Sequence, residues 1–170
     1  MNQKIKPTVG DTALKLWLKL SPWPGGKWLF SRTSGLMIPY TGTMKANVEH
    51  LEPGFAVVFL KDRRRVRNHL KSIHAIAIAN LAEYTTGLAT LTGMPAGSRA
   101  ILTALDVRYL KKARGKLRSE CRSQPPTSLN EQEVRVDASI YDMQGDCIAT
   151  ATASWLIGPY NNNKTTPAKP

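Results

Sequence analysis

The chain has 170 residues, 42% of them hydrophobic and 21% charged, an ordinary globular composition that points to one compact domain and excludes a disordered or collagen-like polymer. Lys plus Arg number 24 against 12 Asp plus Glu, a formal net charge of +12; this calls for an anionic partner without choosing among nucleic acid, a lipid surface, an acidic carrier protein and a phosphorylated small molecule. No run approaches the roughly 20 apolar residues of a membrane span, and Cys121 and Cys147 form neither a CxxC pair nor a metal-ligand cluster, so the expectation is a reduced, metal-free cytoplasmic protein.

Residues 11–20 read as a helix with Asp11 or Thr12 as N-cap and Leu14, Trp17 and Leu18 on one face, stopped by Ser21-Pro22-Trp23-Pro24-Gly25-Gly26. Lys27 to Tyr40 has no clear period, with Gly35 and Pro39 as breaks, and reads as an irregular lead-in holding at most one helical turn. Residues 43–50 and 55–61 are strand-like around the turn tripeptide Glu52-Pro53-Gly54, which predicts a hairpin. A basic connection over 62–71 follows. From Ser72, the expected N-cap, to Gly93, the expected C′ residue, there is no proline and the apolar residues lie nearly all round, so one long helix should be buried on most sides. Strand-like stretches at 100–110, 116–122, 133–141 and 147–156, joined by short turns, imply antiparallel pairing. The expected organisation is a lead-in over 1–41, a central α+β unit over 42–157 and a disordered tail over 158–170. Trp17, Trp23, Trp28, Phe30, Leu36 and Met37 are expected for the most part to pack on the sheet.

On a mostly apolar helix the polar exceptions are informative, and here they are His74, Asn80, Glu83, Thr85 and Thr86. A carboxylate is rarely buried without a partner, so Glu83 pairs with a base, meets water at the helix end, or lines a site. Alone, His74 reads as a structural residue and Asn68 as a turn residue. Together, Asn68-x5-His74-x8-Glu83 followed by Thr86-Gly87 resembles the active-site signature of hotdog-fold thioesterases, most closely the phenylacetate-pathway and human thioesterase-superfamily type. That pattern has an Asn, then His-Gly-Gly, then a carboxylate nine residues after the His. The chain departs from it in carrying Ala75-Ile76 for the glycines and Glu83 for the commoner Asp, and in both respects it resembles an uncharacterised subgroup of hotdog proteins. The resemblance covers about residues 42–157. It implies an α+β hotdog fold, in which a curved antiparallel sheet wraps a central helix, and an acyl-CoA thioesterase working as a homodimer or dimer of dimers. No cofactor is implied beyond the coenzyme A of the substrate. Tyr109 to Gly115 looks like the strand-end segment that meets coenzyme A in this family, which makes Lys111, Lys112, Arg114 and Gly115 the candidates for holding it.

The chemistry can be reasoned beside the resemblance. Thioester hydrolysis passes through a tetrahedral oxyanion, which main-chain N–H groups at a helix N-terminus stabilise. Ala75 N–H occupies that place, the Asn68 amide is suited to hold the carbonyl, and Glu83 is suited to activate a water or to attack directly. His74 fits the helix entrance better than proton transfer. Thr86, at i+3 from Glu83, shares its face and is a candidate to orient the water, with Thr103 a weaker one. Nine residues at about 100° each place His74 and Glu83 on opposite sides of the helix, roughly 13 Å apart along it. They therefore cannot serve one site within one chain, whereas a two-fold dimer brings Glu83 of one chain to Asn68 and Ala75 of the other. The basic runs at Arg63–Arg67 and Lys111–Arg118 are solvated faces, or they hold coenzyme A phosphates or attract an acyl carrier protein. Two rival readings remain: a hotdog protein that binds or dehydrates acyl groups without hydrolysing them, and a nucleic-acid-binding module. The charge favours the latter, but the long apolar helix and the lack of a recognition motif speak against a nucleic-acid partner.

Overall fold

The structure is a computed structural model that describes residues 7–124 and 126–160. Helix α1, Val9–Leu20, opens on a capping box: the Thr8 hydroxyl accepts from Asp11 N–H and the Asp11 carboxylate accepts from Thr8 N–H, both at 2.9 Å. Asp11 is thus the third helical residue, and Thr8, rather than Asp11 or Thr12, is the N-cap. The supposedly irregular lead-in is a second helix, α2, Gly26–Met37, followed by a single turn, α3, Pro39–Gly42. Phe30 of α2 is buried edge-on against Trp17 of α1, with ring centroids 5.2 Å apart. These two aromatics meet the core expectation, but Trp23, Trp28, Leu36 and Met37 are exposed.

Strands β1, Asn47–Glu52, and β2, Phe55–Leu60, form the hairpin, turning at Gly54 with φ of 79°. A 3-10 turn over Arg64–Val66 leads to the long helix α4, Ala75–Gly93. Strands β3, Ser98–Tyr109, β4, Leu117–Arg122, β5, Gln132–Tyr141, and β6, Cys147–Pro159, complete one antiparallel six-stranded sheet in the order β1-β2-β4-β5-β6-β3. The sheet curves around α4. Leu81, Ala82, Thr85, Thr86 and Ala89 of that helix have essentially no solvent exposure, as its all-round apolar pattern requires. Trp155 of β6 lies over Gly87, where a Cβ would meet its ring at 3.3 Å.

The lead-in packs as part of this core, α1 against α4 and α2 against β1. Gly10 of α1 sits so close to the Leu91 carbonyl of α4 that no side chain fits between the two helices. At the other end β6 runs on to Pro159, and Tyr160 N–H donates to Gly97 O at 2.7 Å. Residues 158–160 therefore belong to the folded unit and not to a tail; residues 161–170 lie outside the described residues. The N-cap of α4 is His74 in place of Ser72, because Ser72 is drawn into the loop before the helix, where both its N–H and its hydroxyl donate to Asn68.

Candidate active site

The loop entering α4 is built around Asn68. Its Oδ1 accepts from Leu70 N–H at 2.9 Å, Ser72 N–H at 3.2 Å and the Ser72 hydroxyl at 3.1 Å. Three donors on one oxygen fix the plane of the amide. Among the described residues nothing accepts from Asn68 Nδ2. His74 then caps the helix, its Nδ1 accepting from Ile76 N–H at 3.1 Å while its own N–H donates to Val66 O at 2.8 Å. With Nδ1 committed to the cap, the imidazole is a fixture of the helix entrance. Ala77 and Ile78 N–H both donate to His74 O, and among the described residues no acceptor takes Ala75 N–H. One short segment thus carries an unbonded main-chain N–H at the positive end of a 19-residue helix and an unbonded, rigidly held amide.

The polar residues of α4 separate sharply. Asn80 Oδ1 accepts from the Thr41 hydroxyl at 3.0 Å, Thr85 donates to Leu81 O at 2.7 Å, and Thr86 donates to Glu83 O at 3.0 Å. Glu83 is the exception: it lies mid-helix, partly exposed, and among the described residues its carboxylate makes no ion pair or hydrogen bond. It thus neither pairs with a base among the described residues nor lies at a helix end. Thr86 does not join it. Its side chain is fully enclosed and its proton is given to the backbone one turn back, so within the chain it reaches no water that Glu83 meets. Thr103 is also elsewhere, bonded across the sheet to Ser154 O at 3.1 Å and to Glu133 at 3.4 Å.

The basic strand end is fastened to the helix entrance. Ile73 N–H donates to Ala113 O at 2.8 Å, and the Tyr109 hydroxyl donates to Ala75 O at 3.1 Å. Asp62 bonds Arg67 Nε at 2.6 Å through one oxygen and Gly115 N–H at 2.9 Å through the other. The Arg67 guanidinium and the Gly115 amide hold the Asp62 carboxyl below its ordinary range against the opposing effect of burial. Lys112 and Arg114 are exposed and, among the described residues, unpaired. Lys111 is tied to Asp146 and Asp142 of the β5–β6 turn, and Asp146 raises its pKa. The Gly115 amide is already taken by Asp62; its φ of 73° is what requires a glycine there. Of the four phosphate candidates, Lys112 and Arg114 remain open and Lys111 and Gly115 serve the local structure. The arginine run divides likewise: Arg63 donates to Met44 O and Arg67 pairs with Asp62, while Arg64 and Arg65 face solvent.

Beside His74 a groove of about 610 Å³ is lined by Tyr40, Thr43, Lys45, Arg65, Ile76 and Ala77, among others. Tyr109 and Asp62 were not legible as site residues, since each acts through a partner more than 30 residues away in sequence. The two thiols offer no alternative nucleophile of evident reactivity. Cys121 is buried in the core, which together with the Asp137 charge pushes its thiol up to about 12, and Cys147 Sγ lies against the backbone at Ala149 O. Among the described residues no group of three or more His, Cys, Asp or Glu side chains is placed to hold a metal ion, and no helix is long and apolar enough to cross a membrane.

A curved six-stranded antiparallel sheet around a long helix defines a hotdog fold. A family profile described as a domain of unknown function (DUF4442) matches residues 26–157, and the chain belongs to that family. It is similar to a solved structural-genomics protein, APC5556, at 27% identity and a TM-score of 0.74, over 86% of this chain and 97% of the other. It is also similar to a Pseudomonas aeruginosa protein of unknown function described as a probable thioesterase, at 22% identity and a TM-score of 0.70, over 81% and 97%. A Streptococcus mutans protein bound to acetyl-CoA shares the fold at 19% identity and a TM-score of 0.58, over 66% and 87%. No curated protein matches the sequence.

Proposed function

We propose that the protein hydrolyses the thioester bond of an acyl- or aryl-CoA, or of an acyl group on a carrier protein, at a site shared between two copies of the chain. The observation that carries this reading is the Glu83 carboxylate, unpaired among the described residues, on a helix whose other polar side chains each make a hydrogen bond. The acetyl-CoA complex of the Streptococcus mutans protein supports coenzyme A as the carrier.

In this reading the thioester carbonyl lies at the entrance of α4 against Ala75 N–H and Asn68 Nδ2. Glu83 of the second chain takes a proton from water as the water oxygen bonds to the carbonyl carbon. The resulting oxyanion is held by the two donors, more strongly than the neutral carbonyl was. On collapse the carbon–sulfur bond breaks, and the thiolate of coenzyme A leaves with the proton that Glu83 had taken. In the direct variant of this step the carboxylate itself attacks and water cleaves the mixed anhydride. Lys112 and Arg114 lie on the same side of the chain as the donors, since Ala113 between them is bonded to Ile73, and they meet the phosphates of the nucleotide.

The test is release of free thiol from a panel of acyl- and aryl-CoA esters by wild type and Glu83→Gln. Turnover should fall at least about 100-fold in a protein that keeps its fold, because the amide preserves shape and removes the base. Near-normal turnover by the variant would overturn the role of Glu83. Binding of acyl-CoA with no thiol release from any ester would leave a non-hydrolytic acyl-binding protein instead.

A further inference from the structure

The first 45 residues hold seven Lys or Arg against one acid, Asp11. They also carry a set of large apolar side chains that the fold does not bury. Leu36 is 80% exposed, Trp23 71% and Trp28 60%, with Met37 and Tyr40 similarly open. On α2, at about 100° per residue, Trp28, Leu29 and Leu36 fall within one arc of about 100°. The opposite side of α2 buries Phe30 and Ser31 in the core. The helix is therefore apolar on both sides, and only the inner one is covered.

Unpaired cations stand at the α3 end of this outer face, while at the other end Lys27 beside Trp23 and Trp28 is paired with Glu49. Lys45 after α3 is exposed and lines one cavity with Leu36. Arg64 and Arg65 stand beside Arg63, whose guanidinium bonds Met44 O, which places that cluster at the end of α3. Lys45 and Arg65 both line the groove that contains Tyr40. Apolar and aromatic side chains presented beside unpaired cations are the composition of a helix that lies in a lipid interface: the rings and aliphatic chains enter at headgroup depth and the cations meet anionic headgroups. A second copy of the same face would set like charges against each other. An anionic bilayer neutralises them.

We propose that the outer face of α2 and α3 docks on an anionic lipid surface, with Trp23, Trp28, Leu36 and Tyr40 entering the interface and Lys45, Arg64 and Arg65 as the electrostatic rim. Trp23, Trp28 and Leu36 are exposed and lie outside the groove beside His74, so docking and hydrolysis can be separated by experiment at these positions.

The experiment is co-sedimentation of the full chain with vesicles of phosphatidylcholine alone and of phosphatidylcholine containing phosphatidylglycerol, at low and high salt, with tryptophan emission read on the same samples. Partitioning onto the anionic vesicles should exceed that onto the neutral ones at least tenfold, fall with salt, and be accompanied by a blue shift. The Trp28→Ser/Leu36→Ser double variant should lose at least tenfold in partitioning at an unchanged unfolding midpoint. Trp23→Ser reads the same surface from the loop before α2, beside Trp28, if the first pair disturbs folding. Retention by neither vesicle, or equal retention of wild type and both variants, would overturn the proposal. So would a lipid-free oligomer that the substitutions dissociate in analytical ultracentrifugation, because the face would then be a contact between copies.

Discussion

Asp62 joins three parts of the site with two oxygens. By holding Arg67 it fixes the residue before Asn68, and by accepting from Gly115 N–H it holds the basic strand end against the helix entrance. Its pKa is lowered in the folded state, chiefly by the Arg67 hydrogen bond. Stability from this group is therefore present in full above the ordinary carboxylate pKa near 4 and is lost as the pH falls through the lower folded value. The Arg67 partner is substantially exposed, so solvent screening keeps the contribution small. Asp62→Asn should lower the urea midpoint slightly at pH 7 and lose less stability than wild type between pH 7 and pH 3. Parallel acid dependence of the two proteins would show that the pair carries no linked stability. At this scale the sequence was readable wherever a residue acts alone against its background. Glu83 stood out because every other carboxylate in the chain lies off the apolar helix. Asp62 did not, since a lone aspartate after a strand has no local signal and its partners, Arg67 and Gly115, become neighbours only when β2 and β4 pair.

The segment from Tyr109 to Lys116 behaves as one element. Ala113 O and the Tyr109 hydroxyl bond Ile73 and Ala75 at the α4 entrance and Gly115 N–H bonds Asp62, while the side chains of Lys112 and Arg114 between them stay exposed. Lys112→Glu/Arg114→Glu should therefore raise the apparent KM for coenzyme A esters more than it lowers kcat, because phosphates lie far from the reacting carbon and are held alike in ground and transition states. Short thioesters lacking the nucleotide should be hydrolysed as by wild type; equal damage to both substrates would mean that the segment supports only the fold. Elements with a single buried face, such as β4 and β5, were readable from alternation, and α4 from its unbroken apolar run. α2 was not, because its outward Trp28, Leu29 and Leu36 erase the 3.6-residue contrast that marks an amphipathic helix. Cap positions failed for a different reason. Asp11 and Ser72 have the side chains of good N-caps, yet one answers Thr8 in a capping box and the other is spent on Asn68.

At the scale of the molecule, two features of the single chain are left open. Among the described residues strand β3 pairs with β6 alone, so a 12-residue edge has one side of unpaired backbone. On α4, Ala75, Ile76, Ala79 and Glu83 are at least partly exposed, although the rest of the helix from Leu81 to Thr90 is buried. The donors at the helix entrance and the Glu83 carboxylate lie about 12 to 13 Å apart along one rigid helix, too far to act on one carbonyl. A two-fold dimer in which each copy supplies what the other lacks removes the conflict. If each site takes Asn68 from one chain and Glu83 from its partner, then inactive Asn68→Ala and inactive Glu83→Ala proteins should rescue one another when refolded together. Every mixed dimer would hold one intact site, from the Asn68 of one variant and the Glu83 of the other, and one doubly damaged site. Random association makes about half of the dimers mixed, so about a quarter of wild-type thiol release should return. Sites formed within single chains would return nothing, and absence of recovery with mixed dimers verified by mass spectrometry and both variants folded would refute the shared site while leaving the fold untouched.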